Sequence, residues 1–218
     1  MKLYNYWRSS SSWRVRIALS FKGLPYTYQP VHLLKGEQFD PLFQSVSPMG
    51  MVPLLEWEEE GKIQRLSQSL AIISYLESKF PDPPLFPGDP LDRGRAVQIA
   101  ESINSGIQPF INRATLAFLK THSSLEESEW TRHWLGLGMT SLEKMVQVCS
   151  GLYCVGDRIS LADVCLIPQI YGAKRFGAWN PASFPTLARV EANCEKLGAF
   201  RAAHADAQPD AESKPARV

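Results

Sequence analysis

Four consecutive serines, Ser9 to Ser12, stand between an apolar stretch at residues 2–6 and a patterned one that opens at Trp13. A serine run is common in slack linkers, but here its neighbours read as a strand and a helix, which puts it at a strand-to-helix turn. Hydroxyl groups at such a turn can cap free backbone N–H groups or donate to an anion held at the helix N-terminus. A serine hydroxyl barely ionises, so the run is read as a set of donors and not as a base. Arg8, Arg14 and Arg16 surround the serines, and Arg113 and Arg175 stand later in "INR" and "AKRF". Guanidinium forks suit carboxylates; each arginine alone also fits a surface ion pair or a solvated face.

Composition narrows the field. The 218 residues are 44% hydrophobic and 21% charged, the balance of a folded globular chain of one or two domains. With 23 basic against 22 acidic residues, a nucleic-acid groove is not expected, although a local basic cluster could still hold a small anion. The opening "MKLYNYWRSSSS" has no secretory apolar core and no window approaches a membrane span, so a cytoplasmic, membrane-free protein is expected. Cys149, Cys154, Cys165 and Cys194 lack CxxC spacing and read as reduced, partly buried core residues. The four histidines show no ligand spacing, and no metal site is expected.

The elements that must carry these groups fall into two regions. "FPDPPLFPGDP", residues 80–90, holds five prolines and separates a mixed α/β stretch from a helical one. The boundaries predicted are 1–82 for the first domain, 83–89 for a linker, 90–204 for an all-helical domain and 205–218 for a loose tail. Within the mixed stretch, "KLYNY" reads as a strand and "WRVRIALSFKG" as a helix stopped by Gly23. A second strand, with Pro30 at an edge or bulge, precedes a helical segment around 37–45. "VPLLEW" and "KIQRL" form a hairpin about "EEEG", and "SQSLAIISYLESKF" is a helix with Leu70, Ile73, Leu76 or Glu77, and Phe80 along one side. Trp13, Ile17 and Phe21 read as core. In the helical stretch a single long helix over about 90–120 is kinked at Pro109. Ser123 with Glu126 and Ser124 with Glu127 offer capping boxes, and Ser160 with Asp163 offers another.

The order βαβαββα, with a proline opening the third strand, is the thioredoxin-like arrangement. Val52–Pro53 is then either a cis peptide or a plain trans turn. In that fold the turn after the first strand carries a CxxC pair. Here it carries Ser9 to Ser12, and the first domain has no cysteine, which suits a thiol brought in from outside.

"YWRSSSSWRVRIALSFKGLPY", "SPMGMVPLL", "SQSLAIISYLE", "GIQPFINR", "YCVGDRISLADVCLIPQI" and "AKRF" together resemble the zeta-class glutathione transferases, over residues 1 to about 204. The resemblance implies a glutathione transferase fold, glutathione as cofactor, a homodimer and a small dicarboxylate substrate. It places the thiolate partner at Ser9, with Ser10 beside it, while Ser11 or Ser12 fits the helix cap. Ser11 stands where the family's usual SSC motif has cysteine, which removes the chain's own thiol from the site. The resemblance puts the backbone of Val52, before Pro53, on the cysteinyl part of the tripeptide. It puts Gln68 and Ser69 on the γ-glutamyl carboxylate and Gln38 at the glycyl end, and brings Gln108 and Asn112 toward the glutathione site from the helical domain across a dimer interface. For Gln68 and Ser69 simple capping is the plainer alternative, and for Gln108 an exposed polar residue. Arg8, Arg14, Arg113 and Arg175 are the carboxylate-binding candidates, and Arg16 fits a structural role equally well.

The physics is consistent with such a site. A free thiol has a pKa of roughly 8.5, and lowering it by ~2 units takes about 2.7 kcal/mol. A hydroxyl bonded to the charged sulfur supplies about 1.5–3 kcal/mol, and a helix N-terminus ~0.3–2. The resemblance implies a reversible thiolate addition to a conjugated cis double bond, rotation, and elimination to the trans alkene. Family members act in this way on maleylacetoacetate, in aromatic amino-acid breakdown, or on maleylpyruvate, in gentisate breakdown. General conjugation or dehalogenation, and a binding module without catalysis, are the other readings.

Overall fold

Two successive residues with positive φ, Glu60 at 53° and Gly61 at 72°, close the hairpin between β3 (Leu54–Glu59) and β4 (Lys62–Ser67). That turn geometry follows the natural right-handed twist of paired strands. β1 (Lys2–Asn5) runs antiparallel to β3 and parallel to β2 (Thr27–Pro30), so the strand order is β2-β1-β3-β4. The parallel pair requires a crossover, which α1 (Ser10–Phe21) supplies. A 3₁₀ turn at Glu37–Phe39 and α2 (Pro41–Val46) lead to β3, and α3 (Ser69–Lys79) completes the thioredoxin-like order. This structure, a computed structural model, describes residues 1–212. The Val52–Pro53 peptide is cis, as is Asp82–Pro83.

α1 is buried on nearly every side, because α3 and α10 (Gly198–Ala203) both pack against it. Trp13 and Ile17 are core as expected, and Phe21 is half-buried. The buried side of α3 is Ser69, Ile72, Ile73 and Leu76; Ile73 and Leu76 lie on it as expected, whereas Leu70 and Phe80 are half-buried. Gly23, at φ 66°, ends α1 in the left-handed region that a Cβ disfavours. Next to it the Lys22 ammonium is withdrawn from solvent and donates to the carbonyls of Phe80 (2.7 Å) and Pro83 (2.9 Å), with Glu77 Oε2 at 2.7 Å. It thereby ties the end of α1 to the end of α3. Lys22→Met is expected to cost about 2 kcal/mol, read as a lower urea midpoint at unchanged slope.

The helices of the second region are α4 (Pro90–Asn104), α5 (Gln108–Ile111), α6 (Arg113–His122), α7 (Glu127–Cys149), α8 (Leu161–Arg175) and α9 (Pro185–Cys194). The single kinked helix expected over 90–120 is three helices. α4 ends before Gly106, whose backbone turns so tightly that a Cβ there would sit 2.5 Å from the Ser102 carbonyl oxygen. Pro109 lies in the first turn of α5, where its missing N–H costs no bond. Asn112 then opens α6, accepting the Thr115 N–H at 2.9 Å. The capping boxes expected at Ser123 and Ser124 do not form: Ser123 ends α6, its hydroxyl takes the Leu125 N–H at 3.0 Å, and α7 begins without a side-chain cap.

The box at Ser160 and Asp163 is present, and it starts the central helix. Asp163 accepts from the Ser160 N–H and hydroxyl, each at 2.9 Å, and from the Cys154 N–H at 2.8 Å. Burial outweighs those bonds and raises its carboxyl above the usual value of 3.8. Eleven residues of α8 are buried, in keeping with a helix apolar on all sides.

The chain divides into two compact groups, Met1–Pro83 with the described residues from Leu197 onward, and Pro84–Lys196. The helical stretch expected to run to 204 therefore stops at 196, and α10 belongs with the sheet. The stretch expected at 83–89 as a linker is anchored: Leu85 is fully buried and its carbonyl accepts the Leu161 N–H at 2.8 Å. The tail expected from 205 is not loose as far as residue 212. A 3₁₀ turn at Ala205–Ala207 follows α10, and Asp210 and Glu212 bond to the region of the first strands; residues 213–218 of that tail lie outside the described residues. No helix among the described residues is long and apolar enough to cross a membrane.

Candidate functional site

The residue that caps α1 is Ser9. With φ −67° and ψ 116° it is extended, and its Oγ accepts the Ser12 N–H at 3.2 Å. The cap expected at Ser11 or Ser12 therefore falls earlier in the run, because α1 already begins at Ser10. Ser12 is buried with its hydroxyl unpaired among the described residues, whereas Ser9, Ser10 and Ser11 are half-buried. Capping and donating are compatible at Ser9. A hydroxyl has two acceptor lone pairs and one proton, and the cap uses a lone pair only.

Arg14 is corrected from a carboxylate-binding candidate to a buried tie. Its side chain has no exposed surface, and its Nη1 donates to Ser69 Oγ at 3.2 Å. This bond joins the serine end of α1 to the N-terminus of α3. Arg16 is structural too, since burial pushes its guanidinium down to about 10 and backbone carbonyls surround it. Arg8 is half-buried, with its guanidinium 5.0 Å from the Trp7 ring centre.

The remaining first-domain candidates form a chain of neighbours. Gln68, at the mouth of α3, is held at φ 71°, an uncommon conformation for a residue with a side chain. Its Nε2 lies 3.9 Å from Met49 Sδ, in the loop before Val52. Gly50 in that loop, at φ 59°, approaches the 3₁₀ turn so closely that a Cβ would sit 2.8 Å from the Gln38 carbonyl oxygen. Ser47 Oγ donates to the Met51 carbonyl at 2.9 Å and stiffens the same loop. Among the described residues Val52 has no backbone hydrogen-bond partner, and the buried Gln38 Oε1 is unpaired. Orphan polar groups of this kind are costly unless something takes them up.

These features fit glutathione: a strand-like backbone awaiting a partner at Val52, helix N-termini at Ser9 and Ser69, an acceptor at Gln38, and no thiol in the first domain. Among the described residues the four cysteines are free and no cluster is built for a metal ion. Cys154, Cys165 and Cys194 are buried, and burial raises the thiols of Cys154 and Cys194.

In the helical group, Gln108 Nε2 donates to Gln169 Oε1 at 2.5 Å, and Gln169 is fully buried with its own Nε2 unpaired among the described residues. Asn112 is committed to the α6 cap and to the Pro109 carbonyl at 3.0 Å. Arg113 is exposed at the start of α6; Arg175 is exposed at the end of α8, 4.4 Å from the Phe176 ring centre. Gln169 and Asp210 were missed from sequence. Gln169 lies inside an apolar helix next to Pro168, and Asp210 in a polar stretch with no period to mark it.

Residues 3–84 match the family described as "Glutathione S-transferase, N-terminal domain". Glutathione S-transferase Z1 of Arabidopsis thaliana is 44% identical over 98% of this chain and 95% of its own. A maleylacetoacetate isomerase of Anaeromyxobacter dehalogenans, solved with glutathione bound in the active site, superposes with a TM-score of 0.90 at 45% identity, covering 97% of both chains. A holo maleylpyruvate isomerase, a bacterial zeta-class glutathione S-transferase, gives 0.91 at 39% identity, over 97% of this chain and all of that one.

Proposed function

Because the chain belongs to the glutathione S-transferase family, and within it to the zeta class, we propose that it is a glutathione-dependent cis–trans isomerase of maleylacetoacetate. The observation that carries this reading is the Ser9 hydroxyl, half-buried at the N-terminus of α1 in a domain without a thiol of its own. Glutathione, when bound, supplies the sulfur nucleophile whose reversible addition turns the conjugated cis double bond into a single bond free to rotate.

The chain's own contribution is to bind and to stabilise charge. Ser9 donates its hydroxyl proton toward the sulfur while the α1 N-terminus adds its positive end, and together these favour thiolate over thiol. Ser10 and Ser11 stand beside it in the first turn. The unpaired N–H and carbonyl of Val52, before Pro53, take the cysteinyl part as an added strand. Gln68 and Ser69 offer α3's first turn to the γ-glutamyl carboxylate, with Ser69 kept in place by Arg14. Gln38 serves the glycyl end. Arg8 binds a substrate carboxylate and stabilises the enolate that addition creates, and Arg113 and Arg175 are proposed as further carboxylate partners. Gln108 and Asn112 are proposed to approach the glutathione from the helical domain across the dimer interface. A cytoplasmic homodimer acting in aromatic amino-acid breakdown completes the proposal.

The second reading keeps the chemistry and changes the ketoacid to maleylpyruvate; the match to the solved maleylpyruvate isomerase supports it. Steady-state rates with maleylacetone and with maleylpyruvate, each with and without glutathione, decide between them. Turnover of maleylacetone that vanishes without glutathione is expected. Turnover independent of glutathione overturns the mechanism, and binding to immobilised glutathione without any turnover favours a non-catalytic module.

A further inference from the structure

The turn that carries Ser9 is gripped by residues far away in the sequence. Asp210 Oδ2 accepts the Trp7 N–H at 3.1 Å, and its other oxygen accepts the Tyr28 hydroxyl of β2. From the opposite side Arg16 Nη2 donates to the Trp7 carbonyl at 2.8 Å, and Nη1 to the Tyr6 carbonyl at 3.3 Å. The Ser9 N–H closes on that same Tyr6 carbonyl at 3.0 Å. Both peptide groups of Trp7 are thus fixed by charged side chains, one from α1 and one from the C-terminal segment. His32 Nε2 and Glu212 Oε1, 3.1 Å apart, add a second tie between that segment and the region after β2. Trp7 itself is 5% exposed, so water is a poor substitute for the lost acceptor if the carboxylate is removed.

We infer that Asp210 is a positioning residue for the serine turn: by holding the Trp7 N–H and the Tyr28 hydroxyl together, the C-terminal segment sets where Ser9 is presented. The inference rests on the reading of Ser9 as thiolate donor. Asp210 touches neither cofactor nor substrate; it acts two residues upstream, through the backbone. Burial raises the Tyr28 phenol far above its ordinary value, and the Asp210 bond raises it further, so at physiological pH the phenol is the donor and the carboxylate the acceptor. Charge-assisted bonds of this kind are short and directional, which is what a fixed turn needs. A displacement of an ångström at a donor is enough to cost up to about a hundredfold in rate.

The test uses the full chain with glutathione bound, Asp210→Ala, Asp210→Asn, Tyr28→Phe and Ser9→Ala. Four quantities are read: the thiolate pKa by ultraviolet titration, kcat, KM, and amide hydrogen exchange over residues 5–13. Asp210→Ala is expected to raise the thiolate pKa by about one unit and lower kcat by about tenfold, with KM nearly unchanged and faster exchange at residues 7–9. Asp210→Asn keeps an acceptor oxygen for the Trp7 N–H and recovers most of the loss. Tyr28→Phe lowers kcat by less than about twofold, since it spares the turn. The inference is overturned if Asp210→Ala titrates and turns over like the wild type while Ser9→Ala does not, or if exchange at residues 7–9 is unchanged. An unshifted titration in Ser9→Ala instead condemns the reading of Ser9, and the exchange measurement then still decides the clamp. Should Asp210→Ala not fold, Asp210→Asn is compared with the wild type and with Tyr28→Phe by exchange. The neutral oxygen of the Asn variant is a weaker acceptor than the carboxylate, so modestly faster exchange at residues 7–9 in that variant supports the clamp, and wild-type exchange there refutes it.

Discussion

Ser9→Ala is expected to lower kcat by about 10- to 150-fold and to raise the pKa of bound glutathione by about 1–2 units, in a chain that still folds. The range follows from the bond that is removed: a donor to a charged acceptor contributes about 1.5–3 kcal/mol, and each 1.36 kcal/mol is about a factor of ten. The variant also loses stability, by about 0.5–2 kcal/mol, because Ser9 Oγ caps the Ser12 N–H. Ser9→Gly separates the two roles. Glycine at a cap position costs only about a few tenths of a kcal/mol relative to serine, so the glycine variant matches alanine in activity and exceeds it in stability. Turnover and urea unfolding on the same preparations measure both, and an alanine variant with full kcat would falsify the role given to Ser9.

The largest effect on stability is expected at Asp163. Its carboxylate is fully buried and collects three donors, at 2.8, 2.9 and 2.9 Å. Asp163→Ala leaves the Cys154 and Ser160 N–H groups buried without an acceptor, at a cost of about 3–5 kcal/mol in total. Asp163→Asn gives little relief, because its amide nitrogen must face a donor. The pH dependence has a definite sign. The folded carboxyl titrates above its usual value of 3.8, so between the two values the folded state binds more protons than the unfolded one. Wild-type stability relative to Asp163→Ala is therefore greatest below the usual value and declines as pH rises through the folded one. Urea midpoints of both proteins between about pH 4 and 7 check the slope.

The elements that were legible in the sequence are those set by local chemistry. The strand and helix order of residues 2–79, the hairpin at Glu60 and Gly61 and the box at Ser160 each announce themselves through periodicity, turn residues or a cap. Three misreadings share one cause, which is that tertiary contacts chose between local options of similar energy. Ser9, Ser11 and Ser12 all suit a cap; the first was used because the Tyr6 carbonyl draws in the Ser9 N–H and starts the turn early. The stretch 90–120 kept no single helix kinked at Pro109, since the close backbone at Gly106 follows the end of α4 and the Asn112 cap starts a new helix. Arg14 looked like a partner for a ligand because sequence does not reveal that it is fully buried and bonded to Ser69 at the start of α3.

At the site the lesson differs. Serines, Val-Pro and Gln-Ser are short local signals, and each sits at a helix start or strand mouth where the fold needs it. Asp210 carries no such signal. Its partners, Trp7 and Tyr28, lie 203 and 182 residues away, and a lone aspartate in a polar tail is indistinguishable from a solvated one until the chain has closed.

That closure bears on how the protein is made. β1 and the serine turn leave the ribosome before the helical group, yet α10 and Asp210, which complete their packing, leave after it. The sheet group must therefore wait, unfinished, while all of residues 84–196 is synthesised between its two pieces. Pairings of such long range form slowly and late. The turn at Ser9 reaches its working shape only once residue 210 has emerged, so the group encoded first is the group completed last.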